Sequence, residues 1–513
     1  MKNIDISALS TRYEVRALTE ADIPLVVELM ESNTLYYEYC GHSATAEDVK
    51  NDMSALPPGK TVEEKYYLGF FDGKYLMAVM DFIDGYPDEN TAFIGFFMVD
   101  KCIQGKKIGT AIIEKICLCC ENWGYESIML GYEKLNPQSS HFWQQNGFEA
   151  VCEAQQGDST IVVAKRSLAR ETKPDFAQYL LAQSIAHPAM KARDALKMCY
   201  QAAWGAEHGT IDPTWAKKYL RRELSAVEAD GERPIFEQIS ENLCRVDLRA
   251  WKGKDLPWRW LYEIFSAAHG DGDLDGKLSA VAALAGEGKL PFSLKDWEEE
   301  LSNWDGEAVS HSQSYREAEK PAYRIAPMEY MKLIPILEAM AKRSDGCIVA
   351  IDGRSNSGKS TLSKMLCSVT GAGEVHTDDF LMPGGRMTVT YKGMPGGNLA
   401  YDRIKEWVLP FLRGGNGFYH GFYENHRPSK KRRYVRKSPF RIVEGSFSQH
   451  PYFGDYSDIK VFMDVDTRTQ RRRVLLRDGD GLAPNYFGLW IPMEDEYIDF
   501  FGLKEKADIV IET

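Results

Sequence analysis

Eight consecutive residues in the last third of the chain have the types and spacing of a phosphate-binding loop. Residues 353–360 read GRSNSGKS and match the pattern G-x-x-x-x-G-K-[ST]. Glycines let such a loop wrap an anion with its N–H groups, and the helix that follows adds the positive end of its dipole. Lys359 would reach the β- and γ-phosphates of a nucleotide, and Ser360 would hold Mg²⁺. The residues expected to contact the nucleotide are Gly353, Ser355, Asn356, Ser357, Gly358, Lys359, Ser360 and Thr361.

The residues on either side of this loop have the structure that the motif requires. Residues 347–352 form a short apolar run typical of a buried strand, and residues 361–366 continue as a helix. A strand, a glycine-bearing turn and a helix in this order make a chance match improbable. The sequence therefore predicts binding of ATP with Mg²⁺.

Carboxylates follow two further strands of the same region. Residues 374–380 end in Asp378 and Asp379, and residues 441–445 end in Glu444. A phosphotransferase needs one carboxylate to accept the proton of the acceptor hydroxyl and another to help hold Mg²⁺. We therefore expect Mg²⁺ at Ser360, Asp378 and Glu444. A helix-capping pair is the alternative reading of the two aspartates, but the phosphate-binding loop upstream favours catalysis. Residues 459–465 and 507–512 are predicted to be the last parallel strands.

These features together resemble the uridine kinase and phosphoribulokinase group of P-loop kinases. The matching segments are GRSNSGKST (353–361), TDDF (377–380), PGGNLAYDR (395–403), VEGSF (443–447), RRRVLLRD (471–478) and WIPMEDEY (490–497). The resemblance implies ATP-dependent phosphorylation of a small-molecule hydroxyl. It makes Asp378 the catalytic base, Lys359 the phosphate ligand, and Arg473 and Arg477 the arginines of a lid. Ala400 replaces an expected acidic residue, which leaves the acceptor open.

A second strand, turn and helix lie near the N-terminus. Residues 92–99 predict a buried strand, residues 104–111 a glycine-bearing turn, and residues 112–123 an apolar helix. Together with residues 136–149 they resemble the GNAT acetyltransferase family. This resemblance implies acetyl-CoA, bound by Gln104, Gly105, Lys107, Gly109, Thr110 and Asn136. Lys107 stands where the family prefers glycine, and Trp143 stands where many members carry a tyrosine that protonates the departing thiolate.

The chain is predicted to be a multidomain α/β protein of three parts. Residues 1–167 would form a GNAT-like mixed sheet, residues 168–322 a helical domain of unknown role, and residues 323–513 a P-loop kinase domain with a parallel sheet. Periodic apolar residues favour helices in the middle part. That part could be a substrate-binding module, a dimerisation surface or a spacer.

Composition and charge narrow the classes of function. The chain has 513 residues, a net charge of −13 and 44% hydrophobic residues, which is ordinary for a soluble globular protein. The family resemblances imply small-molecule substrates, and the cysteine usage favours a cytoplasmic protein. The acidic balance argues against nucleic acid as a partner. We find no signal peptide or membrane-spanning run, and the ten scattered cysteines favour reduced thiols over disulfides or zinc. A basic run at residues 427–441 would be a solvated strand pair, an anionic-substrate site or an RNA contact.

The sequence thus predicts a bifunctional enzyme, a kinase joined to an N-acetyltransferase. The alternative is a nucleotide-gated regulatory protein with an inactive CoA-binding GNAT-like unit. Asp378 and Glu444 favour the enzyme, and Trp143 favours the alternative.

We expect Asp378→Asn to abolish phosphoryl transfer and to preserve ATP binding, because an amide keeps the shape of the carboxylate but cannot accept the proton. ADP release and an ATP titration measure the two effects. Full turnover in the variant would contradict the role of Asp378, whereas an unchanged nucleotide response in a partner-binding assay would favour the regulatory alternative.

Overall fold

The computed structural model describes residues 2–40, 44–157, 159–168, 174–206, 212–343, 345–382, 390–391, 393–397, 399–414, 417–421 and 432–513. The first third of the predicted basic run, residues 427–431 of 427–441, lies outside this set. Among the described helices, none combines the length and the apolar character needed to cross a lipid bilayer.

The N-terminal segment alternates strands and helices. Its strands are β1 (Glu14–Ala17), β2 (Lys65–Asp72), β3 (Tyr75–Ile83), β4 (Thr91–Val99), β5 (Ser127–Glu133), β6 (Glu149–Gln156) and β7 (Ser159–Ser167). Its helices are α1 (Ile23–Ser32), α2 (Thr34–Cys40), α3 (Ala46–Ser54), α4 (Ile108–Asn122) and α5 (Pro137–Gln145).

The middle segment is mostly helical but also contains two short strands. Its elements are α6 (Phe176–Ala186), α7 (Ala192–Trp204), α8 (Pro213–Ala226), β8 (Phe236–Gln238), β9 (Leu243–Asp247), α9 (Leu248–Gly253), α10 (Trp258–Ser266), α11 (Leu274–Gly286), α12 (Leu294–Ser302) and α13 (Gln313–Glu319). The sequence did not predict these two strands, because three and five residues are too few to show the alternation of polar and apolar residues typical of a strand.

The C-terminal segment contains both strands and helices, and its last element is a strand. Its strands are β10 (Tyr323–Pro327), β11 (Cys347–Gly353), β12 (Gly373–His376), β13 (Thr390–Tyr391), β14 (Met394–Pro395), β15 (Gly417–His420), β16 (Arg432–Val435), β17 (Phe440–Glu444), β18 (Ile459–Asp464) and β19 (Ile509–Glu512). Its helices are α14 (Ile334–Ala341), α15 (Lys359–Thr370), α16 (Tyr401–Arg403), α17 (Leu409–Leu412), α18 (Thr467–Asn485), α19 (Ile491–Phe501) and α20 (Leu503–Lys506).

Contacts group the chain into two compact units. The first comprises residues 1–171 and 465–496, and the second comprises residues 172–464 and 497–513. The middle segment thus belongs to the same unit as most of the C-terminal segment, and β10 pairs with β9 across the predicted boundary at residues 322 and 323. The division into three domains remains a prediction.

The first unit is built on one mixed sheet with the strand order β1-β2-β3-β4-β5-β7-β6. Its only parallel pair among the described strands is β4 with β5. One face packs on α4, with Ile112, Ile116 and Cys120 in its core. The other face packs on α1 and α3, where Val26, Leu29 and Val49 are buried. Because helices cover both faces of the sheet, the central strands carry apolar side chains on both sides.

Helix α18 packs on α4 within the first unit. Val474 and Leu475 join Ala111 and Leu118 in a shared apolar cluster. The carboxylate of Glu114, which is 4% exposed, accepts from Arg166 at 2.7 Å and from Arg471 at 3.0 Å. A buried carboxylate between two guanidinium groups has the partners that a charge needs in a low-dielectric interior.

The second unit contains a five-stranded parallel sheet with the order β12-β17-β11-β18-β19. Every residue of β11 is buried. Residues of the middle segment, including Trp251, Trp260 and Leu261, share one hydrophobic core with Val349 and Ile351 of the sheet. The ring of Trp260 lies 5.8 Å from that of Phe440 at the start of β17. The middle segment therefore forms part of the cover of this sheet.

We expect Glu114→Gln to lower the free energy of unfolding of the first unit by about 3 kcal/mol, because it leaves buried guanidinium groups without their counter-charge. Urea denaturation measures the change. Glu153→Gln is the control, since Glu153 pairs with Lys134 at the surface, where loss of the pair should cost less than about 1 kcal/mol. Equal losses in the two variants would contradict a special role for the buried carboxylate.

Candidate functional site

The phosphate-loop motif lies where β11 ends and α15 begins. Gly353 has φ of +134°, Asn356 of +59° and Gly358, the N-cap of α15, of +95°. An ideal Cβ at Gly353 would lie 2.1 Å from the carbonyl oxygen of Met463 on neighbouring β18. The first motif glycine is thus required by a backbone contact between strands as well as by its own conformation.

The lysine and serine of the motif point in different directions. Lys359 is 8% exposed, and its ammonium donates to the carbonyls of Gly353 at 2.7 Å and of Arg354 at 2.9 Å. Ser360 donates to both carboxylate oxygens of Glu444 at 3.2 Å. The lysine therefore lies across the loop, while the serine faces the carboxylate that ends β17.

His376 links Glu444 to a second carboxylate. Its Nδ1 contacts Glu444, and its Nε2 lies 3.2 Å from Glu374. Burial alone would lower the pKa of His376, but the hydrogen bonds and charges of the two glutamates raise it to about 10. These three side chains are spaced closely enough to hold a metal ion. A doubly protonated imidazole donates from both nitrogens, however, so at neutral pH it orients Glu444 instead of acting as a ligand.

Directly before the loop lies a buried carboxylate that was not predicted from the sequence. Asp352 is 1% exposed and accepts from the N–H groups of Gly353 at 2.8 Å and Gln449 at 2.9 Å and from the hydroxyl of Tyr497 at 2.9 Å. Burial raises the pKa of this carboxyl. Asp352 thereby fixes the start of the loop to residues after β17. The feature of the sequence that could have predicted this role is the single acidic residue in an otherwise apolar strand.

Asp378 and Asp379 occupy a short 3₁₀ helix after β12, spanning Thr377–Phe380. Asp378 is exposed, whereas Asp379 accepts from Tyr419 at 2.7 Å and from Arg433 at 3.2 Å. An ideal Cβ on Gly445, the residue after Glu444, would lie 3.3 Å from Asp378 Oδ1. Strands β11, β12 and β17 are parallel neighbours, so Lys359, Asp378 and Glu444 all follow the same edge of the sheet.

Arg473 and Arg477 lie on α18 in the first unit. Arg477 donates to Asp478 at 2.8 Å and to the hydroxyl of Tyr486 at 2.7 Å. Burial lowers the pKa of Arg473. Arg468, Arg471 and Arg472 of the same helix pair with carboxylates of α4, which the sequence did not predict. The lid role of Arg473 and Arg477 remains a prediction.

The expected acetyl-CoA residues surround the start of α4. Gly105 and Lys107 both have left-handed backbones, with φ of +73° and +58°. The first helical hydrogen bond runs from Ala111 N to Lys107 O, so the N–H groups of residues 108–110 precede the helical ladder. Gln104 donates to the carbonyl of Val99 at 3.2 Å and accepts from Gln138 at 3.3 Å. Gly109 sits close to Phe142, with an ideal Cβ 3.2 Å from that ring.

Asn136 is the N-cap of α5, and Trp143 lies within that helix. Asn136 caps this helix by accepting from Ser139 N at 3.0 Å, and its buried amide nitrogen has no hydrogen-bond partner among the described residues. Trp143 is buried, and its ring lies 5.0 Å from Phe142 and 5.1 Å from Phe148. Trp143 is therefore a core residue, and its indole has no acidic proton to give a thiolate.

Strands β4 and β5 separate before they end. Pairing runs from Thr91 with Ser127 to Ile94 with Leu130, although β4 continues to Val99 and β5 to Glu133. Gly95 forms a bulge between Ile94 and Phe96 opposite β3. The two parallel strands thus leave a wedge at their carboxyl ends, with backbone groups facing it from both sides.

We expect Gly353→Ala to lower the stability of the second unit by several kcal/mol, because the new Cβ would overlap the Met463 carbonyl. Gly371→Ala is the matched control, since Gly371, the C-cap of α15, has a left-handed backbone and an added Cβ there would make only ordinary contacts of 3.6 Å or more. Its cost should be about 1 kcal/mol. Urea midpoints that fall equally in the two variants would show that the strand contact is unimportant.

Comparison with known proteins identifies the N-terminal part of the chain. Residues 27–148 match the family described as the Acetyltransferase (GNAT) family. No curated protein matches the chain. Among solved structures, an acetyltransferase from Thermus thermophilus is 20% identical, covers 31% of this chain and 98% of its own, and gives a TM-score of 0.26. The PaiA N-acetyltransferase of Thermoplasma acidophilum, in complex with coenzyme A, is 18% identical, with 30% and 98% covered and a TM-score of 0.24. The family match makes residues 27–148 a GNAT acetyltransferase domain.

Proposed function

We propose that the first unit transfers the acetyl group of acetyl-CoA to an amine. The observation that carries this proposal is the wedge between β4 and β5, which lies inside the segment that matches the GNAT family. Unpaired strand edges offer N–H and C=O groups to an extended amide-bearing ligand such as the pantetheine arm. The start of α4 supplies the anion-binding end for the diphosphate.

The chain's own residues would divide the work as follows. The N–H groups near Gly105, Gly109 and Thr110 would bind the diphosphate. Lys107 adopts the left-handed backbone of this turn although it is not glycine, and its ammonium would add a positive charge. The buried amide nitrogen of Asn136 would donate to a carbonyl of the ligand. Acetyl-CoA supplies the activated acyl group. Because Trp143 cannot protonate the leaving thiolate, that proton would come from the attacking amine.

Lys107→Glu is expected to weaken CoA binding about tenfold or more, because a like charge faces the diphosphate where an ammonium stood. Isothermal titration of the full chain with CoA measures this. Lys74→Glu, a charge reversal in the exposed turn between β2 and β3, should leave the dissociation constant unchanged. The absence of CoA binding in the unaltered protein would overturn the proposal.

We propose a second activity, transfer of the γ-phosphoryl group of ATP to a small-molecule hydroxyl in the second unit. The arrangement that supports it is the loop of residues 353–358 beside the contact of Ser360 with Glu444. Ser360 and Glu444 have the hard oxygen ligands that Mg²⁺ prefers. Lys359 would exchange its bonds to loop carbonyls for phosphate oxygens, and the exposed Asp378 would accept the hydroxyl proton.

The kinase proposal is tested by ADP release with Mg²⁺ across nucleosides, sugars and aminoglycosides. Lys359→Ala should abolish acceptor-dependent release, because the loop loses the ammonium that would contact the phosphate oxygens. Lys364→Ala, on the same helix beyond the loop, serves as the control and should retain turnover. ATP binding without turnover on any acceptor would favour the regulatory alternative.

A further inference from the structure

A polar cluster lies on the sheet face of the first unit that α1 and α3 cover. Its members are Lys65 and Tyr67 of β2, Asp81 of β3 and Asp52 of α3. Tyr67 and Asp81 stand directly opposite each other on paired strands. Burial raises the pKa of the Tyr67 phenol, and the charges of Asp52 and Asp81 act in the same direction. Such a cluster is unusual in a face otherwise covered by Val26, Leu29 and other apolar side chains.

Two atoms of this cluster have no hydrogen-bond partner among the described residues. They are Oδ1 of Asp81 and the hydroxyl of Tyr67, in side chains of residues only 8% and 5% exposed. The other carboxylate oxygen of Asp81 accepts from Lys65 at 2.6 Å. Leaving two buried polar atoms unpaired destabilises the folded protein, because each has lost its hydrogen bonds to water. Buried unpaired polar atoms are rare in native proteins, and a bound polar group is one explanation for them.

The carboxylate of Asp81 lies against the opening of the wedge. An ideal Cβ at Gly95 would be 2.4 Å from Asp81 Oδ2, so only glycine leaves room for the carboxylate there. Gly95 directly follows Ile94, the last residue of β4 that pairs with β5. The buried acid is thus adjacent to the point at which the two strands separate.

We propose that this cluster is the acceptor site of the acetyltransferase and that Asp81 is its general base for a primary alkylamine. The inference rests on the proposed acetyl transfer. The unpaired carboxylate and hydroxyl oxygens are hydrogen-bond acceptors, which suits the N–H donors of an alkylammonium group. Oδ1 of Asp81 and the hydroxyl of Tyr67 bind the nitrogen.

The proton balance of the step is complete with these groups. Asp81 takes one proton from the ammonium, and the freed nitrogen pair bonds to the acetyl carbonyl carbon while the carbon–sulfur bond breaks. A second N–H proton passes to the leaving sulfur, giving an amide, CoA thiol and protonated Asp81. Burial raises the pKa of Asp81, with the Lys65 pair acting in the opposite direction, and a base is more effective when its pKa lies nearer the working pH.

The test uses the full chain with spermidine, tyramine and trialanine as amine probes. Three quantities are measured: acetylation of each probe, the dissociation constant of acetyl-CoA, and the shift of Tm that each amine causes without acetyl-CoA. Asp81→Asn should lower kcat at least about 100-fold and abolish the amine-dependent Tm shift, with acetyl-CoA binding unchanged. Asp72→Asn, at the exposed end of β2, is the matched control and should leave all three unchanged.

Tyr67→Phe separates a binding role from a structural one. If the hydroxyl binds the amine, its loss should raise KM for the amine at least about fivefold. The protein's own Tm should stay equal or rise, since a buried unpaired hydroxyl is removed. This variant also keeps the test decisive if Asp81→Asn fails to fold.

Two results would overturn the assignment. One is Asp81→Asn or Tyr67→Phe with kcat/KM close to that of the unaltered protein, and the other is a protein that binds acetyl-CoA but acetylates none of the three amines. Failure to bind acetyl-CoA would instead overturn the proposed function. In that case an amine-dependent Tm shift lost in Asp81→Asn would still support the amine site, and no shift would overturn it.

Discussion

The structure of the second unit depends on burying both faces of its parallel sheet. Parallel strands leave neither face to solvent, and β11 is buried along its whole length. Helix α15 contributes Leu362 and Leu366 to the core, and the middle segment contributes Trp251 and Trp260. Because the cover comes from both segments, the middle segment shares one core with the sheet that carries the phosphate loop. A spacer would have no such core.

Burial also explains how the polar residues at the ends of these strands are held. Asp352 accepts hydrogen bonds from Gly353 and Gln449, which joins the loop after β11 to the residues after β17. His376 lies between Glu374 and Glu444 and neutralises part of their charge. Each buried charge therefore has a partner that also fixes its orientation, so the functional groups are positioned before a ligand arrives.

The first unit shows the opposite arrangement at one place. Most of its buried charges are paired, as Glu114 is by Arg166 and Arg471. Asp81 and Tyr67 retain unpaired atoms in an equally buried setting. The charged groups of Glu114 and its two arginine partners beside α4 are paired, whereas Asp81 and Tyr67 near β4 keep atoms without hydrogen bonds among the described residues. This difference is the reason for proposing the second cluster as a catalytic site.

The sequence by itself determined the local elements: the strand, loop and helix around residues 353–360, the turn before α4, and the parallel strands at residues 459–465 and 507–512. These follow from periodicity and glycine placement, which act over a few residues. Only the tertiary structure decided that residues 465–496 pack with the first unit, that the middle segment covers the parallel sheet, and that Asp352 and Asp81 are buried. The arginines on α18 could bind either a phosphate or the carboxylates of α4, and the sequence does not distinguish these partners. Nor does the sequence show whether an aspartate in a strand is buried or exposed. Such choices depend on which distant surfaces meet, and that information is not carried by local spacing.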